Sequence, residues 1–137
     1  MSEPSLDLQK AIRARLAASS AVTSLVPATA IMDRNWRPEV FPCILIGEGQ
    51  TLAPEGLARS RFVVYADLHL WQSDPSLSSV KTIASAVRDA LADGPLALDG
   101  FYVADLFVHG SRFMRDPDGV HSHGVMTLSA TLVELAT

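Results

Sequence analysis

Cysteine is nearly absent. The 137 residues contain one, Cys43, so no disulfide can form within the chain and a reducing compartment is the expected setting. No apolar run approaches the ~20 residues that span a bilayer. The opening "MSEPSLDLQKAIRARL" has no basic segment followed by an apolar one, so no signal peptide is expected. A basic surplus is missing too: 11 Lys and Arg stand against 15 Asp and Glu, a net charge of −4. That balance argues against a general nucleic-acid binder. The short motifs of common chemistries are also lacking. "GEGQT" has no Lys followed by Ser or Thr at phosphate-loop spacing, no dinucleotide fingerprint exists, and no Gly-x-Ser-x-Gly elbow occurs. Cys43 has no histidine near it in the chain and reads as a small core residue. Glu134 has no partner that would mark it as an acid or base.

What is present is apolar material. Hydrophobic residues make up 48% and charged residues 19%, an excess that hints at burial against partners. The length suits one domain, 1–137, with a real core. Leu8, Ile12 and Leu16 recur every four residues, with Arg13 and Arg15 beside the stripe, which predicts a helix over 5–19. Val22, Leu25 and Val26 form a short apolar turn stopped by Pro27, and Ile31 and Met32 suit a short edge strand. "CILIG" reads as a strand covered on both faces. The small-residue stretch 48–60 reads as a mobile loop with fast amide exchange. A long strand, "RFVVYADLHLW", follows. Asp74 as N-cap, Pro75 at the first helical position and Gly94 past the end bracket a second helix. Its apolar face is Val80, Ile83, Ala84, Val87, Ala90 and Leu91. Two further strands complete the order. The expected architecture is α+β: a two-layer sandwich with a mainly antiparallel sheet of four to five strands and two main helices on one face.

The other sheet face carries the functional argument. In strand 62–71 the residues Phe62, Val64, Ala66, Leu68 and Leu70 point to the helices; Val63, Tyr65, Asp67, His69 and Trp71 point away. Strand 101–109 offers Val103, Asp105, Phe107 and His109 to that second face. Strand 125–133 adds Val125, Thr127, Ser129, Thr131 and Val133. Aromatics among single polar groups have the composition of a protein interface. A catalytic or metal-binding set from Asp67, His69, Asp105 and His109 is the alternative, provided those strands are neighbours in register.

"RFMRDPDGVHSHG", residues 112–124, is explicit about its local geometry. Pro117 presets the first central position of a type I turn, Asp116 can bond the backbone two residues on, and Gly119 tolerates positive φ. The stretch is read as the tip of a hairpin between runs 101–114 and 124–135. His121 and His123 would face the same way on an extended chain, but zinc needs a third or fourth ligand. Replacing either by Ala should then be nearly silent, and no metal ligand, cofactor site or catalytic residue is assigned.

The runs "LHLWQSDPSLSSVKTIASAVRDAL" and "RFMRDPDGVHSHGVMTLSATLVE" together resemble the tail-terminator, or tail-completion, proteins of long-tailed phages and phage-like gene transfer agents. The first helix, "LQKAIRARLAASSAVTSLV", is similar to the one that opens family members. The likeness extends to the strand ending in Trp71 and to the helix carrying Ala86, Val87 and Arg88. It includes a hairpin motif of Arg115, Asp116, Pro117, Asp118, Gly119, His123 and Gly124. "IMDRNWRPEVFP" departs from the family's first strand.

The resemblance implies a structural virion protein and no enzyme. Such a protein is made in the host cytoplasm and resides in the virion tail, where a hexameric ring caps the tail tube and offers a surface to the head–tail connector. Partners would be further copies of the chain, the tube protein and the connector or adaptor, with no membrane and no cofactor. Six copies at −4 each would make an acidic ring through which DNA passes without specific binding. The candidate subunit interface is Trp36, Arg37, Tyr65, Asp67, His69, Trp71, Asp105, Phe107 and His109, meeting head to tail. A head–tail adaptor or other tail component of similar fold is the second reading, and a small metal-dependent enzyme the third.

Overall fold

The computed structural model describes residues 3–33, 38–53 and 60–135. Glu3 starts α1 (Pro4–Ala18) by accepting the Ser5 amide at 3.2 Å, while Pro4 sits where a missing N–H costs nothing. Leu8, Ile12 and Leu16 are fully buried, so the four-residue spacing does mark the core stripe. The flanking arginines act as ties. Arg13 donates to the Ile31 carbonyl at 3.1 Å. Arg15 donates to the carbonyls of Ala90, Gly94 and Pro95 at 2.9–3.2 Å. Ser19 ends α1, and its hydroxyl accepts the Val22 amide to cap the single turn α2 (Ser20–Thr23).

A short parallel edge strand β1 (Ile31–Asp33) pairs with β2 (Cys43–Leu52), which is antiparallel to β3 (Arg61–Gln72). Residues 43–46 are buried throughout, as their unbroken apolar run demands. Beyond them the strand continues where a loop was expected. Residues 49–52 pair with Ala66, Tyr65, Val64 and Val63 after a one-residue bulge at Gly47 and Glu48. Small and polar residues conceal this half of the strand because its outer face is open. Residue 53 lies past the strand, and 54–59 fall outside the described residues.

The second long helix, α3 (Leu77–Leu91), begins later than expected. Ser76 is the N-cap, accepting the Ser78 amide, and Asp74 instead accepts the Ser76 amide at 2.9 Å. The short aspartate side chain closes a turn two residues ahead, and Pro75 stays outside the helix. A long hairpin follows, β4 (Phe101–Arg115) and β5 (Ser122–Glu134).

The sheet order is β1-β2-β3-β5-β4. β5 takes the inner position because Met126, Leu128, Ala130 and Leu132 give it an unbroken buried row, whereas β4 alternates with exposed positions. One core joins these residues to Val64, Leu68 and Leu70 of β3 and to α1 and α3. The result is an α+β sandwich of two layers, with five strands in a mostly antiparallel sheet. No described helix is long and apolar enough to cross a membrane.

A candidate assembly surface on the open sheet face

Registers place the open face in rows. Val63, Thr131 and Asp105 form one; Tyr65, Ser129 and Phe107 the next. Asp67 lies level with Thr127 and Gly110, His69 with Val125 and Arg112, and Trp71 with His123 and Met114. Two bulges in β4, at 103–105 and 108–110, reset its alternation. Val103, expected on this face, is therefore paired with Leu132 and packed against the core. Tyr102 takes an outward position and is 50% exposed.

The second bulge has a further effect. It turns His109 back toward β3, 6.4 Å from the Tyr65 ring and 6.3 Å from Phe107 between ring centroids. Tyr65, Phe107 and His109 thus form an aromatic cluster spanning three strands, with Phe107 48% exposed. Beside it is an open groove of about 530 Å³, lined by Glu48, Gln50, Tyr65, Asp67, His109 and Thr127.

The alternative catalytic or metal-binding set of Asp67, His69, Asp105 and His109 is not assembled as a whole. β5 separates β3 from β4, so Asp67 and His69 are not on a strand adjacent to Asp105 and His109. Asp67 and His109 border the same groove, but Asp105 lies two rows along the face, level with Val63.

Trp71 is on this face yet 7% exposed, so the subunit itself covers it. A chain of five rings, Trp71 at its centre, accounts for that. His121 stacks on Phe41 at 4.1 Å, Phe41 meets Trp71 edge-on at 6.3 Å, Trp71 stacks on His123 at 4.0 Å, and His123 on His69 at 5.2 Å. Phe41 escaped the sequence reading because it sits in an irregular segment with no periodicity. His121 and His123 do not act as a same-facing pair. β5 starts at Ser122, so His121 belongs to the turn and His123 to the sheet. Each stacks a ring face on a neighbour, which gives its replacement by Ala an expected cost in packing where near silence was expected. Trp36 and Arg37 lie outside the described residues.

The hairpin motif forms as its chemistry requires. Gly119 has φ +74°, its amide donates to the Asp116 carbonyl at 3.0 Å, and Asp116 accepts the Asp118 amide at 3.2 Å. Asp118 accepts the amides of Val120 and His121 and is 2.6 Å from His121 Nδ1. The hydrogen bond from the His121 ring, then that from the Val120 amide, holds its carboxyl well below the usual carboxylate range. Arg115 ties the tip to the fold by donating to the Pro75 carbonyl at 3.0 Å. A Cβ at residue 124 would come within 3.1 Å of the Phe113 ring and 3.2 Å of Val80, so glycine lets the hairpin pack closely on α3 without either side chain giving way.

Two clusters bring metal-binding side chains together among the described residues: Asp116 with Asp118 and His121, and Glu48 with Asp67 and His69. In the first, Asp118 is already engaged by two amides and the imidazole, so the group is a turn holding itself closed. The second lies at the bulge in β2, on the open face of the sheet.

Residues 10–132 match the family of the tail completion protein gp17. The chain belongs to that family. It is 25% identical over 126 residues, 91% of each chain, to the tail completion protein gp17 of Bacillus phage SPP1. Its fold superposes on a chain from the virion of a native gene transfer agent particle with a TM-score of 0.82, at 20% identity over 96% of this chain and 99% of that one. The solved structure of bacteriophage SPP1 gp17 gives a TM-score of 0.60, at 23% identity, over 93% and 89% of the two chains. The family is one of structural tail-completion proteins, not enzymes, and the chain is accordingly a tail component of a phage or phage-like particle.

Proposed function

We propose that the chain is a tail terminator, a subunit of a hexameric ring that caps the finished tail tube and presents a surface to the head–tail connector. The observation that carries this reading is the Tyr65–His109–Phe107 cluster on a sheet face that no described helix covers. Helices bury one face of the sheet, and aromatics on the other are left for a partner. A second copy of the chain meeting that face head to tail would close a ring. Asp105 and the rim of the groove would contribute polar contacts around the aromatic centre. Duplex DNA passing through an acidic ring would be held by no phosphate-binding surface.

The test is genetic. A producing strain lacking the gene should make tails of uncontrolled length that fail to join heads, because an uncapped tube end still presents the surface on which the next tube ring adds. Tails of normal length that still lack heads would instead support a head–tail adaptor of the same fold. Normal tails joined to heads would remove both assignments.

A further inference from the structure

We propose that Glu48, Asp67 and His69 form a binding site for a divalent transition ion, zinc foremost, on the open face of the sheet. The bulge in β2 builds it. Gly47 and Glu48 both oppose Asp67, since Ile46 pairs with Leu68 and Gly49 with Ala66. The extra residue puts the Glu48 carboxylate on the same face as Asp67 and His69, a known use of bulges. Gly47 supplies the space: a Cβ there would lie 2.7 Å from His69 Cδ2 and Nε2. One ligand atom from each of the three residues then falls within 4.8 Å of the others.

The spacing suits a bridging ion as well as a direct ion pair. His69 Nε2 is 3.7 Å from Glu48 Oε2, too long for a hydrogen bond. Two ligands bound tetrahedrally at zinc distances lie roughly 3.3 Å apart, so a small rotation of the exposed Glu48 side chain completes that edge. The other ring nitrogen of His69 is engaged: Nδ1 is 2.9 Å from His123 Nε2. In the tautomer whose Nδ1–H donates to His123, the Nε2 lone pair points into the cluster. Asp67 is oriented as well, its Oδ1 accepting from Thr127 Oγ1 at 2.9 Å. Two of three ligands thus have an outer partner that fixes their direction, as bound metals require. One imidazole with two carboxylates suits zinc or manganese better than magnesium or calcium. The groove leaves a fourth position for water or a group from outside. Every ligand comes from a single chain, so the site does not depend on ring assembly.

The test titrates the chelator-stripped full chain with zinc chloride by calorimetry at pH 7.5 and follows the His69 ring nitrogens by NMR. One zinc per chain is expected, with the His69 Nε2 resonance perturbed and the metal-free ring in the Nδ1–H tautomer. His69→Gln and Asp67→Asn should abolish saturable binding. Thr127→Val, which keeps shape but removes the donor to Asp67, should weaken it roughly tenfold or more. His121→Gln should leave it unchanged. If His69→Gln loses its circular dichroism without metal, Thr127→Val and Glu48→Gln decide. Absence of saturable zinc binding, an Nε2–H tautomer, full affinity in Thr127→Val and Glu48→Gln, or loss of binding in His121→Gln overturns the proposal.

Discussion

Gly119 holds φ at +74°, where a side chain with a branched β-carbon is strained. A Cβ there would meet nothing within 4 Å, so backbone strain and not crowding sets the cost. Gly119→Val should therefore destabilise the protein by about 1 kcal/mol or more, measured by chemical denaturation. A neighbouring carboxylate adds a pH dependence to the same turn. Asp118 titrates well below its ordinary value of 3.8 because the folded turn donates hydrogen bonds to it. Its contribution is complete above the unfolded value and is lost as pH falls through the lower folded one. The Val120 amide resonance should show no carboxylate step near pH 4, where an ordinary aspartate titrates, and should move only in stronger acid. In Asp118→Asn that acid transition should vanish. Asp116, Pro117 and Gly119 were legible from sequence because turn chemistry is local. The ring stack that covers Trp71 was not, because Phe41, Trp71 and His121 meet only after four elements have packed.

At the scale of elements, periodicity reports whatever repeats without interruption. α1 and α3 could be placed from their apolar spacing, and β3 and β5 from strict alternation. β4 could not be phased as a single run: Asp105 and Phe107 take the expected face and Val103 does not, since each bulge shifts the alternation by one without altering composition. β2 was half hidden, because its 48–52 stretch lacks the apolar residues that signal a strand. Pairing of 49–52 with β3 predicts alternate protected amides there, the unprotected ones facing the open edge beyond β1. Hydrogen exchange on the isolated subunit checks this, and uniformly fast exchange over 49–52 would contradict the strand. Arg15 makes a second prediction about elements. It joins α1 to the C-terminal end of α3 through three carbonyls, where a cation also meets the negative end of the helix dipole. Arg15→Ala should cost roughly 1–2 kcal/mol, with exchange increasing first at the last turn of α3.

For the molecule as a whole, the two sheet faces have different obligations. The helix face must be filled to hold the subunit together, and Leu68, Leu70, Met126, Leu128 and Leu132 are fully buried there. The open face can lose side chains without emptying that core. Tyr65 and Phe107 have no role in the row of buried residues, and Phe107 is about half exposed. The double variant Tyr65→Ala with Phe107→Ala should keep the far-ultraviolet circular dichroism and a cooperative thermal transition of the parent. It should nevertheless populate smaller oligomers by native mass spectrometry, because truncating aromatic anchors at the centre of an interface typically removes ~2 kcal/mol or more of binding. Trp71→Ala should behave in the opposite way. That ring is covered by Phe41 and His123 within one subunit, so its loss should lower the stability of the monomer before any effect on assembly. If the double variant assembles like the parent while Trp71→Ala also keeps its stability, the aromatic cluster is not the contact between subunits. The proposed ring would then need another surface through which to close.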